Sequence, residues 1–138
     1  MPSRDKIHDI VKTALIKDNW TITHDPFFIR LGHFRTYADL AAERPFAAQK
    51  GDKKIAVEIK SFIGRSPIYD LEQALGQYGL YRALLTEVEP DRQVYLALGR
   101  AAYASLFDAS AGLVVIRELR LSLCVVDLER EEVNQWIN

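Results

Sequence analysis

Apolar positions recur every three or four residues near the start of the chain, which predicts a helix over residues 4–18. The apolar stripe of that helix is Ile7, Ile10, Val11, Ala14 and Leu15. Residues 20–23 are aromatic and β-branched and predict an edge strand. The run His24-Asp25-Pro26 ends that strand. We interpret residues 26–35, which contain phenylalanines and Gly32, as a partly extended loop.

The most informative stretch is the apolar segment 55–62, which carries an acid and a base two residues apart. Side chains alternate between the two faces of a strand, so Glu58 and Lys60 project from one face. Ile55, Val57 and Ile59 project from the other face. Charges on a mostly apolar, covered face are costly unless they are paired or bind something. The segment therefore predicts a functional site.

An antiparallel hairpin is expected to lead into this strand. Its first arm is the extended segment 36–43, which Arg44-Pro45 disturbs and residues 46–49 resume. Residues 50–53 form the turn, and the second arm begins at residue 54. This arrangement puts Asp39 near the beginning of the incoming strand, close to the returning Glu58.

A helix over residues 68–85 follows, with Ser66 or Asp70 as its cap. Its expected apolar stripe contains Leu71, Ala74, Leu75, Tyr78 and Leu85. Gly76 and Gly79 each cost about 1 kcal/mol relative to Ala in a helix, so we expect them to permit close approach to the sheet. Gln73, Gln77 and Tyr81 are spaced by four residues and share the adjoining face.

The remaining segments complete a mixed α/β domain around one sheet. Residues 93–98 are continuously apolar and predict a strand buried on both faces, parallel to the strand that holds Glu58. The later elements are expected to be a helix over 101–107, a loop over 108–112, a strand at 114–116, a half-buried strand over 119–126 and a helix or extended tail over 129–137. Trp136 is expected to pack back onto the core.

Composition fits one soluble domain spanning residues 1–138. The apolar fraction is 49%, the charged fraction 27% and the formal net charge −1, so bulk charge does not indicate nucleic-acid binding. No apolar run reaches the ~20 residues that span a bilayer, and the N-terminus lacks the apolar region of a secretory signal. A single cysteine, Cys124, excludes an internal disulfide framework. We therefore expect a cytoplasmic protein without a membrane partner.

Asp39, Glu58 and Lys60 together fit metal-dependent phosphodiester hydrolysis. Two carboxylates from neighbouring strands can share one Mg²⁺, and a lysine beside them can position water or stabilise developing negative charge. A Glu-x-Lys triplet alone occurs by chance in about half of chains this long, since each residue makes up roughly 6% of ordinary sequences. The triplet indicates a site because it lies in an apolar strand that follows a hairpin. The alternative is an edge strand whose two charges face water.

The segments 37–43 and 55–61 resemble the PD-(D/E)xK nuclease superfamily. More closely, nearly the whole chain resembles the XisH family, the fdxN-element excision controlling factors of cyanobacteria. The strings that carry this resemblance are Asp5-Lys6-Ile7-His8, residues 14–18, Trp20-Thr21-Ile22-Thr23-His24-Asp25-Pro26, residues 56–62, residues 70–78 and Gln135-Trp136-Ile137-Asn138.

The resemblance implies a restriction-endonuclease-like fold, a mixed central sheet flanked by helices, and action on DNA during excision of an element in heterocyst development. It also implies a companion protein like XisI, and we expect a homodimer or hetero-oligomer. Asp39 and Glu58 match the acids that hold Mg²⁺, or alternatively Mn²⁺, although Ala38 replaces the usual proline. Lys60 matches the lysine, and Gln77 matches a supporting glutamine followed by Tyr81.

Many members of the superfamily add an acid from the first helix, where this chain offers Asp5, His8 or Asp9. Other candidates have plainer interpretations. In an extended chain Glu43 lies ~13 Å from Asp39, which favours an ion pair or solvation. His24-Asp25 is interpreted as a turn, and His33 as a loop residue. Gln73 and Gln77 are site residues or plain surface amides, and Cys124 is a core or face residue. A basic cluster around the hairpin is expected to contact phosphate or maintain solubility: Lys50, Lys53, Lys54 and Arg65.

Three hypotheses follow. The chain is a Mg²⁺-dependent DNA endonuclease, with Asp39, Glu58, Lys60 and Gln77 as its catalytic residues. Alternatively, it is a catalytically silent nuclease-fold module that binds DNA or a partner and regulates a separate recombinase. The third hypothesis is a structural or toxin–antitoxin role through dimerisation, suggested by the aromatic residues of the segment 26–37.

Overall fold

A computed structural model describes residues 4–45, 51–107 and 109–138 of the chain. Its elements follow the chain as α1 (Arg4–Lys17), β1 (Thr21–His24), β2 (Phe27–Leu31), β3 (Phe34–Ala38), β4 (Leu40–Pro45), β5 (Asp52–Ile59), α2 (Pro67–Val88), β6 (Arg92–Gly99), α3 (Arg100–Leu106), α4 (Ser110–Glu118), β7 (Leu123–Asp127) and β8 (Glu132–Ile137). None of the helices in these ranges has the length and apolar character needed to cross a membrane.

Six strands form one mixed sheet in the order β1-β4-β5-β6-β7-β8, and β2 pairs with β3 in a separate ribbon. The central strands β5, β6 and β7 are parallel, whereas β1, β4 and β8 add antiparallel pairs on either side. Helices flank this sheet, so the mixed α/β architecture expected from the sequence is confirmed. The parallel pairing of β6 with β5 and the edge position of β1 are confirmed as well.

The sheet separates two hydrophobic cores. On one face, the apolar stripe of α1 packs against Ile55, Val57 and Ile59 of β5. Trp20 lies in the same core, and Trp136 packs against it as expected. On the other face, α2 covers Ala56 and the alternate residues of β6 and β7, together with the inner side of the β2–β3 ribbon. The period-two alternation of β5 thus divides its side chains between the cores.

Two turns fit their sequences. Asn19 follows α1 with φ 69°, the left-handed conformation that Asn tolerates. Ser66 caps α2 by accepting a hydrogen bond from the Tyr69 backbone N–H at 3.2 Å, with Pro67 next in the helix. Of the two cap candidates, Ser66 is therefore the N-cap.

Several expected elements are wrong. Residues 27–38 form the β2–β3 hairpin where we expected a loop followed by a continuous first arm. Residues 114–116 lie inside α4, and β7 begins only at Leu123. Residues 132–137 form β8, so this part of the tail is extended. The expected resumption of the arm at residues 46–49 lies outside the described residues.

The buried stripe of α2 is also shifted. Tyr81 and Leu84 are buried in it, whereas Leu75 is only partly buried. The predicted close approach of Gly76 and Gly79 to the sheet is wrong, since a Cβ atom at either position would meet open space. The tight glycine nearby is Gly64, where a Cβ would lie 2.6 Å from a carboxylate oxygen of Asp70.

Candidate functional site

The end of β5 carries the two charged residues on the α2 side of the sheet. Glu58 is only 3% exposed, and Lys60 is partly exposed just beyond the strand. Both line an open cavity of about 630 Å³ between this strand end and α2. Because β5 lies between β4 and β6, the alternative of an edge strand with both charges facing water is wrong.

Asp39 lies in the bend between β3 and β4, at the beginning of the incoming strand as expected. Its Oδ2 accepts a hydrogen bond from the Ile59 backbone N–H at 2.8 Å. The pairing of Leu40 with Val57 sets this register. The carboxylate of Asp39 is therefore hydrogen-bonded to Ile59, the residue that follows Glu58.

Tyr81 reports on the surroundings of both acids. Burial raises the pKa of the Tyr81 hydroxyl to about 12, and the negative charge of Glu58 adds to this rise. A hydrogen bond with the side chain of Thr36 acts in the opposite direction, and the charge of Asp39 again raises the pKa. The Tyr81 hydroxyl thus lies within electrostatic range of both Glu58 and Asp39.

Lys60 contacts a glutamine of α2, but not the expected one. Its Nζ donates a long hydrogen bond to Gln73 Oε1 at 3.5 Å, and Gln73 Nε2 donates to the Tyr69 hydroxyl at 2.9 Å. Gln77 also lines the cavity. The Gln77 Oε1 atom is buried and has no hydrogen-bond partner within the described ranges. Gln73 therefore contacts the lysine at the limit of hydrogen-bond distance, and Gln77 presents an acceptor next to the same cavity.

Asp70 is a cavity residue that sequence reasoning missed as part of the site. It lines the same cavity as Glu58 and accepts a hydrogen bond from the Gly64 backbone N–H at 3.0 Å. In the sequence it appears only as an alternative cap, and its position four residues after Ser66 resembles an ordinary first helical turn. No sequence signal distinguishes it, because Gly64 comes close only after the chain turns at the end of β5.

The first helix contributes nothing described to the cavity. It packs against the opposite face of the sheet, as part of the other core. His8 Nε2 lies 2.8 Å from Asp25 Oδ1, and Asp9 is exposed. The side chain of Asp5 lies outside the described residues. The structure therefore brings neither His8 nor Asp9 to Glu58, because α1 approaches the sheet from the wrong side.

The remaining candidates lie elsewhere. Glu43 forms an ion pair with Arg92 at 3.6 Å, as its plainer interpretation expected. His33 lies in the turn of the β2–β3 ribbon, and Asp25 accepts a hydrogen bond from Lys12 at 2.7 Å. Cys124 is buried, and burial raises the pKa of its thiol to about 12, so it is a core residue.

The three described members of the expected basic cluster do not lie together. Lys53 and Lys54 lie near the beginning of β5, and Lys54 pairs with Asp91 at 3.6 Å. Arg65 lies beyond the other end of β5, which is ~20 Å further along the strand direction. Lys50 lies outside the described residues.

The donor set fits a hard cation that keeps most of its water. Asp39 and Glu58 supply carboxylate oxygens, the ligands that Mg²⁺ prefers, and Mg²⁺ is often bound by one or two carboxylates plus waters and substrate phosphates. Within residues 4–45, 51–107 and 109–138, no group of three or more His, Cys, Asp or Glu side chains is arranged to hold a metal. Two protein carboxylates are thus compatible with Mg²⁺ but less so with a closed structural zinc site.

Comparisons with known proteins agree on the relationship. The chain is similar to the crystal structure of an fdxN element excision controlling factor protein from Anabaena variabilis, at 43% identity and a TM-score of 0.88, covering 98% of this chain and 100% of that one. It is also similar to the crystal structure of an XisH family protein from Nostoc punctiforme PCC 73102, at 39% identity and a TM-score of 0.88, covering 97% of this chain and 100% of that one. No curated protein matches. The family model described as XisH protein matches residues 1–134, and the chain therefore belongs to the XisH family.

Proposed function

We propose that this chain is an excision controlling factor that acts on DNA in the cytoplasm and hydrolyses phosphodiester bonds at Asp39, Glu58 and Lys60. The description of the Anabaena variabilis protein supports the role in element excision. The resemblance of the site segments to PD-(D/E)xK nucleases supports the chemistry. The observation that carries the proposal is the buried carboxylate of Glu58 in the wall of an open cavity, with Asp39 fastened to the next residue.

Each residue has a distinct task in this proposal. Asp39 and Glu58 would hold Mg²⁺, which when bound neutralises phosphate charge and lowers the pKa of a coordinated water. The ammonium of Lys60 stabilises the negative charge that develops on the scissile phosphate. Gln73 holds that ammonium in place, and Gln77 offers its buried carbonyl oxygen as a further acceptor. The Ile59 N–H orients the Asp39 carboxylate, so one ligand is preorganised before metal arrives.

The test is metal-dependent cleavage by the purified protein. We expect wild type to cut duplex or branched DNA in Mg²⁺ or Mn²⁺, and not in EDTA. Lys60→Ala should lower the rate by about 100-fold or more, the usual cost of removing one transition-state donor. Lys54→Ala is the matched control, because Lys54 lies on the same face of the same strand and pairs with Asp91 at the other end. Equal rates for wild type and Lys60→Ala would exclude catalysis at this site.

A second candidate function is a catalytically silent nuclease-fold module that binds DNA or a companion protein like XisI and controls a separate recombinase. The absence of a third metal-ligating side chain from the described part of the site favours it. Under this function the purified protein forms a stoichiometric complex with its companion and shows no turnover with any divalent metal. Cleavage that depends on Lys60 would rule the silent module out.

A further inference from the structure

The β2–β3 ribbon presents a face that neither the core nor the site uses. Its register pairs Phe28 with Tyr37 and Arg30 with Arg35. Residues that lie directly opposite, or two apart along one strand, share a face of a ribbon, so these four side chains project together. We call them the aromatic–arginine face. Phe28 is 74% exposed and Tyr37 is 52% exposed, and their rings meet edge to face at 6.1 Å.

The opposite face of the ribbon is what anchors it. Phe27, Ile29 and Ala38 are buried in the core beneath α2. Because this inner face already holds the ribbon on the domain, folding does not need the exposed rings on the outer face. Keeping a large aromatic ring in water costs free energy that burial would recover. The adjacent exposed rings of Phe28 and Tyr37 therefore offer a continuous apolar surface that a ligand can cover.

The charge on this face identifies the chemistry of that ligand. Arg30 and Arg35 lie directly opposite each other, and like charges at such positions repel. Residues 26–38 contain no Asp or Glu. Within the described ranges neither guanidinium takes part in a hydrogen bond or ion pair. An anion between the two arginines would relieve their repulsion, so the face is complementary to a polyanion.

The face also leads directly to the proposed catalytic residues. Tyr37 is followed by Ala38 and then by Asp39, and the hydroxyl of Tyr37 acts electrostatically on Tyr81, which also senses Glu58. Arg35 lies four residues before Asp39, ~13 Å away along an extended strand. A ligand that follows the ribbon from the arginines past the aromatic rings therefore arrives at Asp39.

We propose that the aromatic–arginine face binds an unpaired DNA strand and directs it toward Asp39 and Glu58. Phosphates lie against Arg30 and Arg35, and bases stack on Phe28 and Tyr37. Cationic side chains combined with exposed aromatic rings are the usual means of holding single strands, since every unpaired base offers a ring face that a duplex covers. The identity of the polyanion as DNA rests on the proposed function, whereas the binding surface rests on the ribbon alone.

The experiment measures binding separately from cleavage. A fluorescein-labelled single strand of about 20 nucleotides, longer than typical single-strand sites, is titrated with protein in EDTA while fluorescence anisotropy is recorded. The titration is repeated between about 50 and 200 mM salt. The unlabelled single strand and the corresponding duplex then compete for the protein. Sedimentation of each variant reports its oligomeric state.

Two double variants are expected to lose affinity in different ways. Arg30→Gln with Arg35→Gln should lower the slope of log affinity against log salt by about 1.4, because each phosphate contact with a single strand contributes about 0.7. Arg30→Lys with Arg35→Lys should restore the slope, which a general loss of folding would not allow. Phe28→Ala with Tyr37→Ala should weaken binding by about fivefold or more without changing the slope.

Matched controls lie on other surfaces. Phe34→Ala removes an exposed ring at 61% exposure on the opposite side of the ribbon, and Arg117→Gln removes an exposed cation on α4. Both should bind the single strand as wild type does. If no variant ever cleaves DNA, single-strand binding by the wild type in EDTA still supports the inference while the nuclease proposal fails.

Three outcomes would overturn the inference. The first is an affinity for the single strand that equals that of wild type in both the arginine-to-glutamine variant and the aromatic-to-alanine variant, even if DNA cleavage still depends on Lys60. The second is preferential competition by the duplex, which would reject the unpaired strand. The third is a change in oligomeric state in the Phe28, Tyr37 double variant with no change in DNA affinity, which would make the face a contact between copies of the chain.

Discussion

Two buried charges lie on the same face of the sheet, at opposite ends of β5, and their surroundings differ. Arg92 stands opposite Lys54 at the beginning of β5, whereas Glu58 stands near its end. The Arg92 guanidinium donates to the Ile55 carbonyl at 2.9 Å and to Glu89 at 3.2 Å, and lies 4.8 Å from the centre of the Phe27 ring. The Glu58 side chain instead forms part of the wall of the 630 Å³ cavity.

The comparison separates a charge that contacts protein groups from a charge that borders a cavity. Both residues are nearly inaccessible, at 6% exposure for Arg92 and 3% for Glu58, so burial alone does not distinguish them. What differs is the space beside them. The guanidinium of Arg92 contacts a backbone carbonyl, two glutamates and a ring, and a new ligand would have to displace them. Glu58 borders a space that can admit a cation, water and a phosphate.

Of the substitutions that we propose for stability measurements, replacing Arg92 should have the largest effect on the free energy of unfolding. Arg92→Met leaves the buried Ile55 carbonyl without its donor and Glu43 and Glu89 without their cation. We expect the free energy of unfolding to fall by about 3 kcal/mol, the scale for breaking a buried ion pair whose partners stay partly solvated. Urea denaturation followed by circular dichroism measures it.

Arg100→Met is the control for this prediction. Arg100 is 59% exposed and pairs with Asp127 at 3.3 Å, and an exposed pair contributes about 1 kcal/mol or less. If Arg92→Met and Arg100→Met lowered the free energy of unfolding by the same small amount, the contacts of Arg92 would not stabilise the fold as we expect.

Much of the fold could be predicted because the relevant signals are local. The helical period identified α1 and α2, and the alternation of residues 55–60 correctly divided the two faces of β5. The errors have a common physical source. The β2–β3 hairpin was missed because its apolar residues lie on both faces, including the exposed Phe28, which hides the alternation of a half-buried strand. Residues 114–116 are β-branched, and tertiary context overrides their strand propensity.

The positions of the candidate site residues could be predicted only where they lie on or directly beside a regular element. Glu58 and Lys60 share a face because period two requires it, and Asp39 was placed by the hairpin. The positions of Gln73 and Asp70 depend on the direction in which α2 leaves the turn formed by residues 60–66. In this turn Phe62 adopts φ 56° and the chain leaves the sheet. No sequence period describes such a turn. The contacts of Lys60 with α2 therefore emerge only in three dimensions.

Replacing Glu58 by glutamine should remove metal binding. Glu58→Gln preserves the shape of the side chain, and the free energy of unfolding of the variant in EDTA is the reference against which its response to Mg²⁺ is measured. Wild type should gain about 2.7 kcal/mol when Mg²⁺ is present at 100 times its dissociation constant, because binding to the native state alone stabilises it. The variant should lose this gain.

Thermal unfolding with and without Mg²⁺ measures this difference. Asp39→Asn should lose the same gain, but it should also lower stability in EDTA, because the Ile59 N–H would then donate to a neutral oxygen. A Glu58→Gln variant that still gains stability from Mg²⁺ as wild type does would place the metal elsewhere.

The smallest expected effects come from the two glycines of α2, which differ in their distance from the cavity. A Cβ atom at Gly76 or Gly79 would meet no atom within 4 Å, so alanine at either position should raise the free energy of unfolding by about 0.5–1 kcal/mol through helix propensity. Gly76 lines the cavity beside Glu58, whereas Gly79 does not.

The two alanine variants therefore test whether the cavity is used. If substrate occupies the cavity beside Glu58, Gly76→Ala should gain stability and lose cleavage rate or DNA affinity, because its methyl group takes up part of that cavity. Gly79→Ala should gain the same stability and keep the wild-type activity. Equal activity in both variants would mean that DNA reaches Glu58 by another route, most directly along the aromatic–arginine face of the β2–β3 ribbon, which approaches the acids from the side of Asp39.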